Sequence, residues 1–113
     1  MSFSGKHILV LEDEPIIGLA LEDQLTERGA TVYFADRIED AIELILSRTL
    51  DRAILDVNVH GQPSYDVARS LRDRDIRFVF ATGYGDSSHP VEFAGVPTVS
   101  KPYSIEEIDR ALR

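Results

Sequence analysis

The sequence predicts an α/β domain: a parallel β-sheet covered by helices on both faces. Short apolar runs alternate with segments of helical periodicity along the chain, which is the pattern of repeated strand–helix–strand units. Three of the runs are apolar at both alternating positions, as strands buried on both faces are. At 113 residues the chain has room for one core and is read as a single domain over 1–113.

Each element follows from its pattern. "HILVL" (7–11) is a short strand, apolar after its first residue. "PIIGLALEDQLTER" (15–28) is helical, with Ile17, Leu21 and Leu25 spaced by four. Pro15 suits a first turn and Gly29 a stop. "TVYFA" (31–35) is the second strand. In "DRIEDAIELILSR" (36–48), Ile38, Ala41, Ile42, Ile45 and Leu46 trace a helical stripe, and Asp36 and Glu39 have capping-box spacing. "RAILDV" (52–57) is strand three, and "SYDVARSLRDR" (64–74) is a helix with Val67, Ala68 and Leu71 inward. "RFVFA" (77–81) is strand four and "VPTVS" (96–100) a weaker strand five. "SIEEIDRAL" (104–112) closes the chain as a helix, with Ser104 and Glu107 as a capping box and Ile105, Ile108 and Leu112 inward.

The rhythm breaks between Thr82 and Lys101. A fourth helix belongs there, but only "SSHPVEFA" is available and Pro90 limits it, so a short or irregular, mobile helix is expected. The Gly- and Pro-rich stretch 83–97 is read as the part of lowest local stability, able to order in response to a signal.

Right-handed crossovers leave few topologies, and five strands suit a flavodoxin-like, doubly wound order 2-1-3-4-5. In such a sheet, chemistry sits beyond the carboxyl ends of the strands. Strand one ends in Glu12-Asp13-Glu14, strand three carries Asp56, strand four ends in Thr82 and strand five at Ser100-Lys101. Clustered carboxylates repel one another without a cation, and oxygen ligands from two or three acids suit Mg2+. Lysine and threonine could hold an anion bridged by that metal. Metal, anion clamp and carboxylate nucleophile together are equipment for phosphoryl transfer. Like-charge repulsion in the metal-free cluster also implies that neutralising Asp13 raises the melting temperature.

Composition excludes other classes. The net charge is −8 and the arginines of "RSLRDRDIR" are interleaved with aspartates, so nucleic acid is not an expected partner. There is no cysteine, hence neither disulfide nor thiolate metal site. No apolar run is long enough for a bilayer and "MSFSGKH" has no secretion signal, so the expected location is cytoplasmic, without membrane association. His7, His60 and His89 lack paired metal-ligand spacing and are read as surface or packing residues.

With "LEDE" (11–14), "ILDVN" (54–58), "FATG" (80–83) and "SKP" (100–102) in order at four strand ends, the chain resembles the receiver domain of bacterial two-component response regulators over its whole length. The resemblance implies that Asp56 is the phosphoacceptor, that Asp13 and Asp56 ligate Mg2+ directly with the backbone carbonyl of Asn58, and that Glu12 acts through a metal-bound water. It also implies that Thr82 and Lys101 contact the phosphoryl group and that the Lys101–Pro102 bond is cis. "FATGYGD" (80–86) resembles the narrower FATGUY-type receivers of alphaproteobacteria, many of which stand alone and are paired with histidine kinases of the HWE or related class. Three positions depart from the family pattern. Thr98 stands where most receivers carry a switch aromatic, with Tyr84 a candidate substitute. His60 replaces the proline four after the phosphoacceptor, and Ser64 replaces the glycine eight after it. Gly61 and Pro63 are read as the turn residues of that loop.

These features describe a single-domain response regulator that signals by changed protein contacts or phosphate competition toward an unidentified downstream protein. Two other readings stand beside it. One is a receiver-like interaction module that is not phosphorylated. The other is an Mg2+-dependent phosphohydrolase of the haloacid-dehalogenase type, which expects a second aspartate where Asn58 stands.

Overall fold

The structure, a computed structural model, describes residues 3–83 and 89–113. Its sheet contains β1 (His7–Leu11), β2 (Thr31–Ala35), β3 (Arg52–Asp56), β6 (Arg77–Thr82) and β7 (Thr98–Ser100), in the order β2-β1-β3-β6-β7, all parallel. Leaving aside the small hairpin of β4 (Asn58–Val59) and β5 (Gln62–Pro63), this is the predicted 2-1-3-4-5 order.

The period-two alternation of the strands splits the core into two layers. Leu9, Leu11, Leu55, Phe78 and Phe80 face α2 (Ile38–Ser47) and α3 (Tyr65–Asp73). Ile8, Val10, Ile54, Val79, Ala81 and Val99 face α1 (Pro15–Glu27) and α4 (Ile105–Ala111). Helix α1 approaches β2 closely at Gly18, where a Cβ would lie 2.3 Å from the Phe34 ring.

Pro15 opens α1, and the helix ends in a Schellman pair: Gly29 N–H donates to Thr26 and Ala30 N–H to Leu25, with Gly29 at φ +89°. The same pair closes α3 around Asp75 at φ +57°. The Ser104–Glu107 capping box on α4 is present.

Three local expectations are corrected. Asp36 does not cap α2; the cap position is Arg37, in extended backbone and without a side-chain cap bond. Leu46 is not part of the buried stripe but exposed, while Ala41 and Ile45 carry the burial. The hairpin turns at His60 and Gly61, whose φ values of 51° and 81° match a type I′ turn, and Pro63 lies on β5.

Among the described residues, the predicted short or irregular fourth helix is represented by one 3-10 turn, Val91–Phe93, with Pro90 at its start; residues 84–88 of the 83–97 stretch lie outside the described residues. The turn is more firmly held than its composition suggests. Phe93 is 1% exposed, stacked on Tyr65 and against Phe80. Arg69 and Arg72 of α3 both donate to the Glu92 carboxylate. Residues 91–93 are thus anchored to α3; Tyr84, proposed above as a substitute for the missing aromatic, lies outside the described residues.

Candidate functional site

Backbone pairing runs one residue past several strands and fixes where the site residues stand. Glu12 N–H donates to Ala35, Val57 N–H to Ala81, and Lys101 N–H to Thr82. Glu12, Asp13, Asp56, Thr82 and Lys101 are thereby brought to one end of the sheet. A cleft of about 370 Å3 there is lined by Asp13, Asp56, Asn58, Thr82, Gly83 and Lys101. Glu12, Asp13, Asp56, Asn58, Thr82 and Lys101, the residues marked for metal and phosphoryl binding, are thus brought to the same place, and the Lys101–Pro102 bond is cis.

The ammonium of Lys101 occupies the centre. Its Nζ is 2.6 Å from Glu12 Oε1, 3.3 Å from Asp56 Oδ2 and 3.8 Å from Glu14 Oε1. Glu12 is 2% exposed, so this pair is shielded from water. Burial alone would lower the Lys101 pKa, but contacts with Glu12 and Asp56 outweigh it and hold the ammonium above its ordinary value. Asp56 is pushed up to about 8, by burial first and then by the hydrogen bond and negative charge of Glu12; Lys101 opposes this only in part. Asp13 behaves differently. Its carboxylate accepts the His60 N–H at 2.8 Å, and such bonds outweigh burial and lower its pKa. The turn of the β4–β5 hairpin is what delivers that N–H.

The acids fit a cation. Glu12, Asp13 and Asp56 each offer a carboxylate oxygen, all within 4.8 Å of one another. The negative charge of Glu12 that helps to raise the Asp56 pKa is of the kind that a cation among these oxygens would offset. A hard, oxygen-only donor set of this kind suits Mg2+.

Two residues of consequence were not legible beforehand. Ser64, fully buried, donates its hydroxyl to the backbone carbonyl of Asp56 at 2.6 Å. Its sequence signal was the departure from glycine at that position. His89 packs, as expected, and in addition has both ring nitrogens engaged. Its Nδ1 is hydrogen-bonded to Tyr65 Oη at 2.9 Å and its Nε2 to Thr98 Oγ1 at 2.8 Å, and its ring lies on Phe80 with centroids 4.4 Å apart. Only the missing ring at Thr98 hinted at it.

The family model of the response regulator receiver domain matches residues 8–113. SdrG from Sphingomonas melonis Fr1, known from a solution structure, is 39% identical with a TM-score of 0.83, over 99% of this chain and 96% of that one. The BeF3-activated conformation of SdrG, from Pseudomonas melonis Fr1, gives 38% and 0.78 over the same shares. TrrA from Thermotoga maritima, crystallised with Mg2+-BeF, is 26% identical with a TM-score of 0.76, over 93% of this chain and 94% of that one. The transcriptional regulator TorR of Escherichia coli K12 is 26% identical over 106 residues, 90% of this chain and 46% of that protein. The chain thus spans about half the length of the curated relatives it matches. With the sheet order, the strand-end residues and the matched span in agreement, the chain belongs to the response regulator receiver domain family.

Proposed function

We propose that this receiver accepts a phosphoryl group on Asp56 from a phosphohistidine of a histidine kinase and signals through an altered protein-binding surface. Receiver domains bind Mg2+ and are phosphorylated by histidine kinases. The observation that carries the reading here is Lys101 set between Glu12 and Asp56, with Asp13 alongside.

In this reading a carboxylate oxygen of Asp56 forms the new P–O bond. The P–N bond to the donor imidazole breaks, and its electron pair returns to the ring nitrogen. Lys101 and the Thr82 hydroxyl hold the phosphoryl oxygens, and Ser64 fixes Asp56 from behind through its carbonyl. Glu12, Asp13, Asp56 and the Asn58 carbonyl would hold Mg2+, Glu12 through a water. When bound, the metal neutralises charge on the phosphoryl group.

An apolar cleft beside the acids supports a helical donor. Ile16 is 84% exposed on α1, and with Ile17, Ala20, Pro102 and Tyr103 it forms a surface that runs into the acid cleft at Glu14 and Lys101. A helix presenting a phosphohistidine could lie there. "FATGYGD" and the 39% identity to SdrG of Sphingomonas, an alphaproteobacterium, favour the FATGUY-type group and a kinase of the HWE or related class. Output runs through protein contacts or phosphate competition, in the cytoplasm. Among the described residues no helix is long and apolar enough to cross a membrane.

The test is phosphoryl uptake from a small phosphodonor with Mg2+. Wild-type protein should take up one group per chain, and Asp56→Asn none. Full uptake by the variant would remove Asp56 from this role.

A further inference from the structure

The switch aromatic of most receivers has no counterpart at Thr98, yet a ring does stand in front of that residue. Phe80 and Thr98 are register partners across β6 and β7, and Thr82 and Ser100 are the next pair on that face. The His89 imidazole covers the first of these pairs: it lies on Phe80 and is hydrogen-bonded to Thr98 Oγ1. Its other nitrogen is bonded to Tyr65 Oη, which ties the ring to α3. One step along the strand, Thr82 lines the cleft that holds Asp56.

We propose that His89 is the switch ring of this receiver, delivered from the connection before β7 instead of from β7 itself, with Thr98 supplying the hydroxyl that holds it. The inference rests on Asp56 being the phosphoacceptor and names how that event leaves the site. Both partners are hydroxyls that can donate or accept, so a neutral imidazole satisfies Tyr65 and Thr98 together only while the ring is docked between them. Such an element has two discrete states, docked and released, which a signal can bias. Movement of Thr82 toward a phosphoryl group displaces the backbone beside Phe80 and Thr98, and the docked geometry is lost. The element that moves is confined. Phe93 is buried and Glu92 is held by two arginines, so residues 91–93 stay on α3 while His89 leaves Thr98. Coupling between the acid cleft and α3 then passes through His89 and Tyr65.

The imidazole nitrogens of His89 report this directly by 15N-edited NMR, with Mg2+ and beryllofluoride as the phosphoryl analogue. In the free protein both nitrogens should carry the shifts of one hydrogen-bonded tautomer. On analogue binding they should move toward the values of a free ring in tautomer exchange. Thr98→Val, which removes the hydroxyl at constant shape, should shift the ring the same way without analogue, and Thr98→Ser should restore the wild-type pattern. Ring signals that stay fixed while the amides of Asp56, Thr82 and Lys101 shift would overturn the role of His89 and leave the phosphoacceptor reading standing. Amides and ring both unmoved at saturating analogue would overturn the phosphoacceptor reading, and the switch with it.

Discussion

Lys101 Nζ lies 2.6 Å from Glu12 Oε1, in a pair whose carboxylate side is almost wholly shielded from water. Removing one partner of a buried pair leaves the other charge uncompensated, at a cost of about 3 kcal/mol. Lys101→Met should therefore destabilise the metal-free protein by about that amount in urea unfolding. Glu12→Gln added to it should restore most of the loss. A double variant no more stable than Lys101→Met would show that the pair contributes nothing of this kind.

The acids of the cleft are unequal, which revises the expectation from sequence. Asp13 is stabilised as a carboxylate by the His60 N–H, whereas Asp56 is raised by burial and by Glu12. Repulsion is thus concentrated on Asp56. In chelator, Asp56→Asn should raise the melting temperature by about 5 °C, roughly 1 kcal/mol for a domain of this size. Asp13→Asn should not raise it, because it weakens the acceptor that holds the hairpin. Mg2+ at a hundred times its Kd should stabilise wild type by about 2.7 kcal/mol, and neither variant to that extent. A higher melting temperature for Asp13→Asn would contradict this division.

Burial holds the His89 pKa below the ordinary histidine value of 6.5. The unfolded chain then binds more protons than the folded one in the window just below 6.5. This contribution to stability is complete above that pH and is lost as pH falls through it toward the folded pKa. Unfolding curves measured from pH 5 to pH 8 (about 1.5 units either side of the histidine value) should show wild type losing more stability at the acid end than His89→Gln does. Parallel curves for the two proteins would mean that the ring titrates alike in both states.

The 3-10 turn after Pro90 is held by burial more than by charge. Phe93→Ala should cost about 3–5 kcal/mol, as large-to-small changes of a buried phenylalanine do. Glu92→Gln should change stability little, since ion pairs in contact with water are screened. Equal losses in the two variants, measured by urea unfolding, would reverse that ranking.

The residues legible in advance share one property: their pattern is local. The continuous apolar runs in "HILVL" and "RFVF", the Pro15 and Gly29 ends of α1, and the Ser104 capping box are set by neighbours in sequence. The strand-end acids were legible because a parallel sheet brings strand ends together whatever the details. What escaped was tertiary. Leu46 has the right spacing for a stripe, but its side chain is exposed. Asp36 has the spacing of a capping box, but the chain enters α2 one residue later, at Arg37. His89 meets Tyr65 from 24 residues away, in a stretch without periodicity. Asp13 and His60 are 47 residues apart, so the unequal acids could not be read from "LEDE".

Reductive trapping tests the assignment of Asp56 most directly. Borohydride converts an acyl phosphate to an alcohol, so a phosphorylated aspartate becomes homoserine and can be located by peptide mass. Protein phosphorylated with Mg2+ and a small phosphodonor should yield homoserine at position 56 and at no other acid. Homoserine at Asp13 or Glu12, or its absence from a fully phosphorylated sample, would contradict the assignment of Asp56 as the phosphoacceptor.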